Sequence, residues 1–172
     1  MNRFRWIGAV HEYLEVWGKV CHSDIAVAHK SLHHDSDRNL KIYENRLACG
    51  EEFSPRDTYY YANELFAIDN TKKPLFYEKF LFGGKGWVED NISACGKLAD
   101  CRHNLDDAEG ETDAILRSFR YGSPRAEFCC RLGYHFLERN DISTAVFWYK
   151  LAGSLKQPED SPEFYHPAYS TW

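Results

Sequence analysis

Residues 128–158 read FCCRLGYHFLERNDISTAVFWYKLAGSLKQP, and they decide the fold. Phe128, Cys129, Leu132, Gly133, Phe136 and Leu137 fall at steps of three and four, which gathers them on one face of a helix. Asn140-Asp141 interrupts the pattern, and an aspartate there can cap a following helix by accepting from its unpaired N–H groups. A second stripe follows, with Ile142, Ala145, Val146, Tyr149, Ala152 and Leu155, and Gln157-Pro158 stops it. Two amphipathic helices joined by a short polar turn make a helical hairpin.

The spacing carries more than amphipathicity. Leu132-Gly133, Phe136, Ala145, Tyr149, Ala152 and Pro158 resemble the tetratricopeptide signature of Leu-Gly, aromatic, Ala, aromatic, Ala and Pro. Small residues let paired helices approach, and rings fill the gaps between successive pairs. The step from Leu98-Ala99 to Leu132-Gly133 equals the step from Pro124 to Pro158, and both match the tetratricopeptide period. This predicts a middle hairpin with helices from Trp87 to Asn104 and from Glu111 to Phe119. An earlier copy is marked by Tyr61-Ala62 and Leu65, then by Tyr77-Glu78-Lys79-Phe80-Leu81. Its step to Leu98-Ala99 exceeds the period by three, an excess that the Gly83-Gly84-Lys85-Gly86 linker can absorb. The expected fold is therefore mainly α: a tetratricopeptide-like α-α superhelix of about three helical hairpins, preceded by a short β-containing segment.

Composition narrows the function classes. Hydrophobic residues make up 44% and aromatic residues 16% of the chain, enough to bury a sizeable core. A net charge of -5 with scattered Lys and Arg speaks against nucleic acid as a partner, because phosphate neutralisation needs a basic face. No window holds the ~18 uninterrupted apolar residues of a membrane span, and Met1-Asn2-Arg3-Phe4-Arg5-Trp6 has no apolar signal region. Cys21, Cys49, Cys95, Cys101, Cys129 and Cys130 form no CxxC pair, so they read as thiols of a reducing, cytoplasmic compartment and not as a zinc site.

The first fifty residues follow another pattern. Arg3 to Val10, Tyr13 to Val16 and Asp24 to His29 are short and rich in Val, Ile and aromatics, and read as two or three strands, with Trp17-Gly18 as a turn. Ser36-Asp37 then opens a helix with Leu40, Tyr43 and Leu47 on one face, closed by Gly50. Glu51 to Arg56, with Pro55, is the expected link to the array. The domain division expected is 1–52 for this piece and 53–172 for the repeats. A lone meander leaves its edges open, so the strands are expected to belong to a larger sheet that the sequence does not contain.

Trp6-Ile7-Gly8-Ala9-Val10-His11-Glu12, followed by Asp24-Ile25-Ala26-Val27-Ala28-His29, resembles the tail of bacterial family 2 glycosyltransferase domains. Some members of that group continue into tetratricopeptide repeats, and Arg56 to Leu65 resembles the junction found in them. The resemblance implies a nucleotide-sugar-binding α/β domain with an Asp-x-Asp motif holding a divalent metal, Mg or Mn, against the diphosphate; a hard cation suits that charge. Asp35-Ser36-Asp37 is the nearest such form here and reads as a loop and helix cap. The resemblance places His11 and Glu12 on the acceptor side as catalytic candidates, Glu12 as a base for the incoming nucleophile, and leaves His29 as a candidate metal ligand. The plain alternatives are a His11 bonded to backbone, a Glu12 capping a turn and a satisfied strand-end His29. His33-His34 is read as loop and not as a metal pair.

Repeat arrays bind along the face formed by the first helix of each hairpin. Counting from residues 62, 99 and 133 puts Tyr59, Asn63, Asp100, His103, Cys130 and Tyr134 outward, and Tyr59, Asn63, His103 and Tyr134 are the acceptor- or peptide-binding candidates. The leading expectation is the acceptor-engaging, C-terminal part of a family 2 type glycosyltransferase, inactive alone, with a protein, peptide or glycan acceptor as partner. The rival is a stand-alone adaptor that binds a peptide. Phe164 to Trp172 reads as the start of a further helix.

Overall fold

The computed structural model describes residues 4–19, 21, 37–65 and 72–155. Asp24–His29, His33, His34, Asp35, Ser36, Pro158 and Phe164–Trp172 lie outside them, so the expectations on those residues, including His29 as a metal ligand, lie outside as well. The described residues form two short strands and seven helices, a mainly α fold with a β segment in front. They group into two compact units, 1–85 and 86–172. No helix among the described residues is long and apolar enough to cross a membrane.

In the first unit, β1 (Phe4–Ile7) pairs antiparallel with β2 (Tyr13–Val16), with Trp6 opposite Leu14 and Ile7 opposite Tyr13. The turn of this hairpin is Gly8–Glu12; Trp17-Gly18 follows β2 and carries the expected bend at Gly18. Next comes α1 (Arg38–Ala48), which buries Leu40 and Tyr43. Gly50 ends it at φ +77°, where a side chain would be strained. The expected link 51–56 is shorter than its sequence suggests. Ser54 caps a helix by accepting from Asp57 N, and Pro55 fills the first helical position, where its missing N–H costs nothing. That helix is α2 (Pro55–Glu64), and α3 (Lys73–Gly83) packs on it before Gly84 turns left-handed. Thus the first helical hairpin shares a core with the N-terminal piece, Val10, Leu40, Tyr43, Tyr61 and Leu65, and the compact unit runs past residue 52 to residue 85.

The second unit holds two hairpins: α4 (Val88–His103) with α5 (Ala108–Ser118), and α6 (Ala126–Glu138) with α7 (Ile142–Ser154). Their boundaries follow the repeat reading closely. Both turns use one device. Asp106 and Asn140 sit in the left-handed region. The next residue, Asp107 or Asp141, caps the second helix by accepting from the N–H of Gly110 or Thr144. Small residues let the paired helices come close. A Cβ at Gly133 would come within 2.9 Å of the Tyr149 ring, and one at Gly96 within 3.1 Å of Phe128. Ala94, Cys95, Leu98, Ala99, Cys129, Leu132 and Ala145 are all buried. Burial pushes the Cys129 thiol up to about 11, with Cys130 and Glu127 adding to it.

Candidate functional site

Val10 organises the surroundings of His11 and Glu12, the two catalytic candidates. Its side chain enters the core with Leu40, Tyr43, Tyr61 and Leu65, which pins the β1–β2 turn to α1 and α2. This placement has a conformational cost. Gly8 takes φ +101° and His11 sits in the left-handed region, where few non-glycine residues are found. A Cβ at Gly8 would crowd Val10 O at 3.3 Å. With Val10 pointing inward, His11 and Glu12 are left at the surface.

His11 is then fixed from three sides. Its Nε2 lies 2.8 Å from Glu64 Oε1, and because a carboxylate only accepts, Nε2 carries the hydrogen. The same oxygen accepts from Asn39 Nδ2 at 3.1 Å. The imidazole stacks on Tyr60 with centroids 4.3 Å apart at 20°. Arg56 donates to His11 O at 3.0 Å, and its guanidinium lies 4.7 Å from the Tyr60 ring centre and 5.1 Å from that of Tyr13, within cation–π range of both. Glu12 stands beside this cluster, exposed and with no hydrogen bond recorded among the described residues.

The plain alternative for His11, a side chain bonded to backbone, is not the one built: its Nε2 has a carboxylate partner 53 residues away. The partners Tyr60 and Glu64 were missed by the sequence reading, although a signal existed. Arg56, Tyr60 and Glu64 are spaced by four and so share one face of α2. Asn39, on α1, has no such signature.

The four acceptor-binding candidates fare differently. Tyr59 is a correction: it is buried between Tyr60 and Phe80, with ring centres 5.3 Å and 5.2 Å away, and is not an outward contact. The repeat count misplaces it because α2 packs against partners on two sides, Tyr43 meeting Tyr61 and Phe80 meeting Tyr59. Asn63 is half-buried and accepts from Tyr77 Oη at 2.9 Å, which ties α2 to α3. In the second unit His103 is exposed and bonds Glu111 at 2.9 Å through Nδ1. Glu111 also accepts from Arg131, whose other arm reaches Asp100 at 2.6 Å. Burial works against the Arg131 guanidinium charge, but Asp100 and Glu111 more than offset this and hold its pKa above the usual value. Tyr134 is exposed and donates to Glu138 at 2.9 Å, which raises its phenol. Tyr59 with Asn63, and His103 with Tyr134, therefore sit on separate units.

The metal implied by the glycosyltransferase resemblance finds no fit in these residues. No group of three or more His, Cys, Asp and Glu among the described residues is placed to hold an ion, and His11 is already engaged with Glu64.

Compared with known proteins, the chain matches no protein-family model and no curated protein.

Proposed function

We propose that this chain is the acceptor-engaging, C-terminal part of a family 2 type glycosyltransferase, which moves a sugar from a nucleotide-diphosphate donor to a protein, peptide or glycan acceptor. The observation that carries the reading is the His11 site: a strained glycine turn presents an imidazole, gripped by Glu64 and Tyr60, beside an exposed Glu12. Such a pair suits the acceptor half of glycosyl transfer. Glu12 takes the proton from the attacking hydroxyl as the new bond to the anomeric carbon forms and the bond to the departing diphosphate breaks. His11 keeps Nε2–H on Glu64, so its Nδ1 is the nitrogen offered to the acceptor.

A binding screen of nucleotide-sugars and acceptor peptides against this chain and a longer version tests the reading. The expected result is acceptor binding by both, weakened by His11→Ala, with Mn²⁺-dependent donor binding only by the longer protein. Saturable micromolar binding of a uridine or guanosine diphosphosugar by this chain would sink it.

A second reading, a stand-alone peptide adaptor, is favoured by one feature. Tyr134 is an exposed, hydrogen-bonded aromatic ring on a helix face, the kind of anchor that dominates interfaces. If a peptide partner binds there, Tyr134→Ala weakens it by at least ~1 kcal/mol with helicity intact, whereas Lys150→Ala on α7 leaves it unchanged. Loss of binding with Tyr134→Ala but not with His11→Ala selects the adaptor.

A further inference from the structure

The last hairpin leaves an apolar stripe open. Ile142, Val146 and Tyr149 are 51%, 42% and 40% exposed, and they recur at helical spacing along α7. Tyr134 and Leu137 extend the exposed apolar surface on α6, and Tyr149 reaches α6, where its ring lies against Gly133. On the preceding hairpin, part of the α4 face is covered by the helix that follows it. Phe128 of α6 is only 7% exposed and lies against Gly96 of α4, while Arg125 pairs with Glu89. A repeat buries its face only when the next element stacks on it.

We propose that the open α6/α7 stripe is a docking surface for the chain's own residues 156–172. Three considerations select this occupant. The segment follows α7 directly and carries Phe164, Tyr165, Tyr169 and Trp172, rings of the kind that Phe128 supplies one repeat earlier. It also reaches: the stretch from Leu155 to Phe164 spans up to ~30 Å, whereas α7 is about 20 Å long. Finally, a short tether presents the segment at about millimolar effective concentration, above what a second copy or a dilute partner attains.

The test is a thermodynamic cycle on the full chain. One variant replaces Phe164, Tyr165, Tyr169 and Trp172 together by Ser, which keeps the length; another is Val146→Glu; a third combines them; a chain ending at Leu155 is the control for the Ser set. Each single change is expected to lower the melting temperature by roughly 4–8 °C and to raise binding of a hydrophobic dye. The combination is expected to add nothing further, because both changes break one contact. Additive losses, or no loss from the Ser set, would overturn the proposal. So would a dimer in sedimentation that Val146→Glu splits and the Ser set leaves intact, since a second copy would then be the occupant.

Discussion

The two units bury different kinds of side chain. In 1–85 the interior is made of rings: Tyr43, Phe53, Tyr61 and Phe76 meet edge-on or tilted at 4.7–5.6 Å, and Tyr59 meets Phe80. In 86–172 it is made of small residues: Ala94, Cys95, Gly96, Ala99, Cys129, Gly133, Ala145 and Ala152 let helices touch, with Leu98, Ile115 and Leu132 between them. Rings hold helices apart at distances that depend on how each ring tilts, so the aromatic unit has no need of a fixed repeat length. Close helix contact through small residues leaves no such freedom. The three-residue excess in spacing before the second unit falls in the Gly83-Gly84-Lys85-Gly86 linker and not in either kind of interior.

Four changes break or sharpen this contrast. The largest effect belongs to Leu132→Ala. Leu132 is fully buried, and truncation leaves a cavity that the close-packed helices cannot fill, at about 2–5 kcal/mol by denaturant unfolding. A loss below ~1 kcal/mol would mean that the second unit collapses as freely as a ring-packed one.

Asp57→Asn comes next and tests the ionic side of the first unit. Arg46 donates to both oxygens of Asp57 and to Glu51, beneath the α2 cap. Burial alone would raise the Asp57 carboxyl, but the bonds from Arg46 and Ser54 outweigh it and hold it below the usual range. A folded value below the unfolded one stabilises at pH above about 4 and is lost as pH falls through the folded value. The substitution is expected to cost about 1.5–3 kcal/mol near neutral pH, with the gap to wild type closing on acidification. A gap that does not change with pH would remove the ion pair from the account.

Gly133→Leu is expected to cost about 1–3 kcal/mol, because already the Cβ added there comes within 2.9 Å of the Tyr149 ring. An unchanged melting temperature would show that the repeat register is wrong. The smallest effect has the opposite sign. Tyr43 Oη is buried with no hydrogen-bond partner among the described residues, so Tyr43→Phe keeps the ring and removes the orphaned hydroxyl. A gain of about 1 kcal/mol is expected; a loss would point to an unseen partner for that oxygen.

The sequence by itself determined where the helices lie, the glycine and aspartate punctuation between them, and the β segment in front. These are local properties: Asp141 caps because its own side chain reaches Thr144 N, and Gly84 turns because it lacks a Cβ. His11 and Glu12 stand out in the sequence only through the resemblance of residues 6–12 to a glycosyltransferase tail; that they stand in the Gly8–Glu12 turn is not legible there, where Arg3 to Val10 reads as one strand. Only the tertiary structure decided what surrounds them. Glu64 and Asn39 reach the His11 site across long stretches of chain because Val10 anchors the turn in the α1–α2 core. It also decided that Tyr59, outward by repeat counting, is interior. Helix α2 packs on two sides, and how many neighbours a helix has is written in no single stretch of sequence.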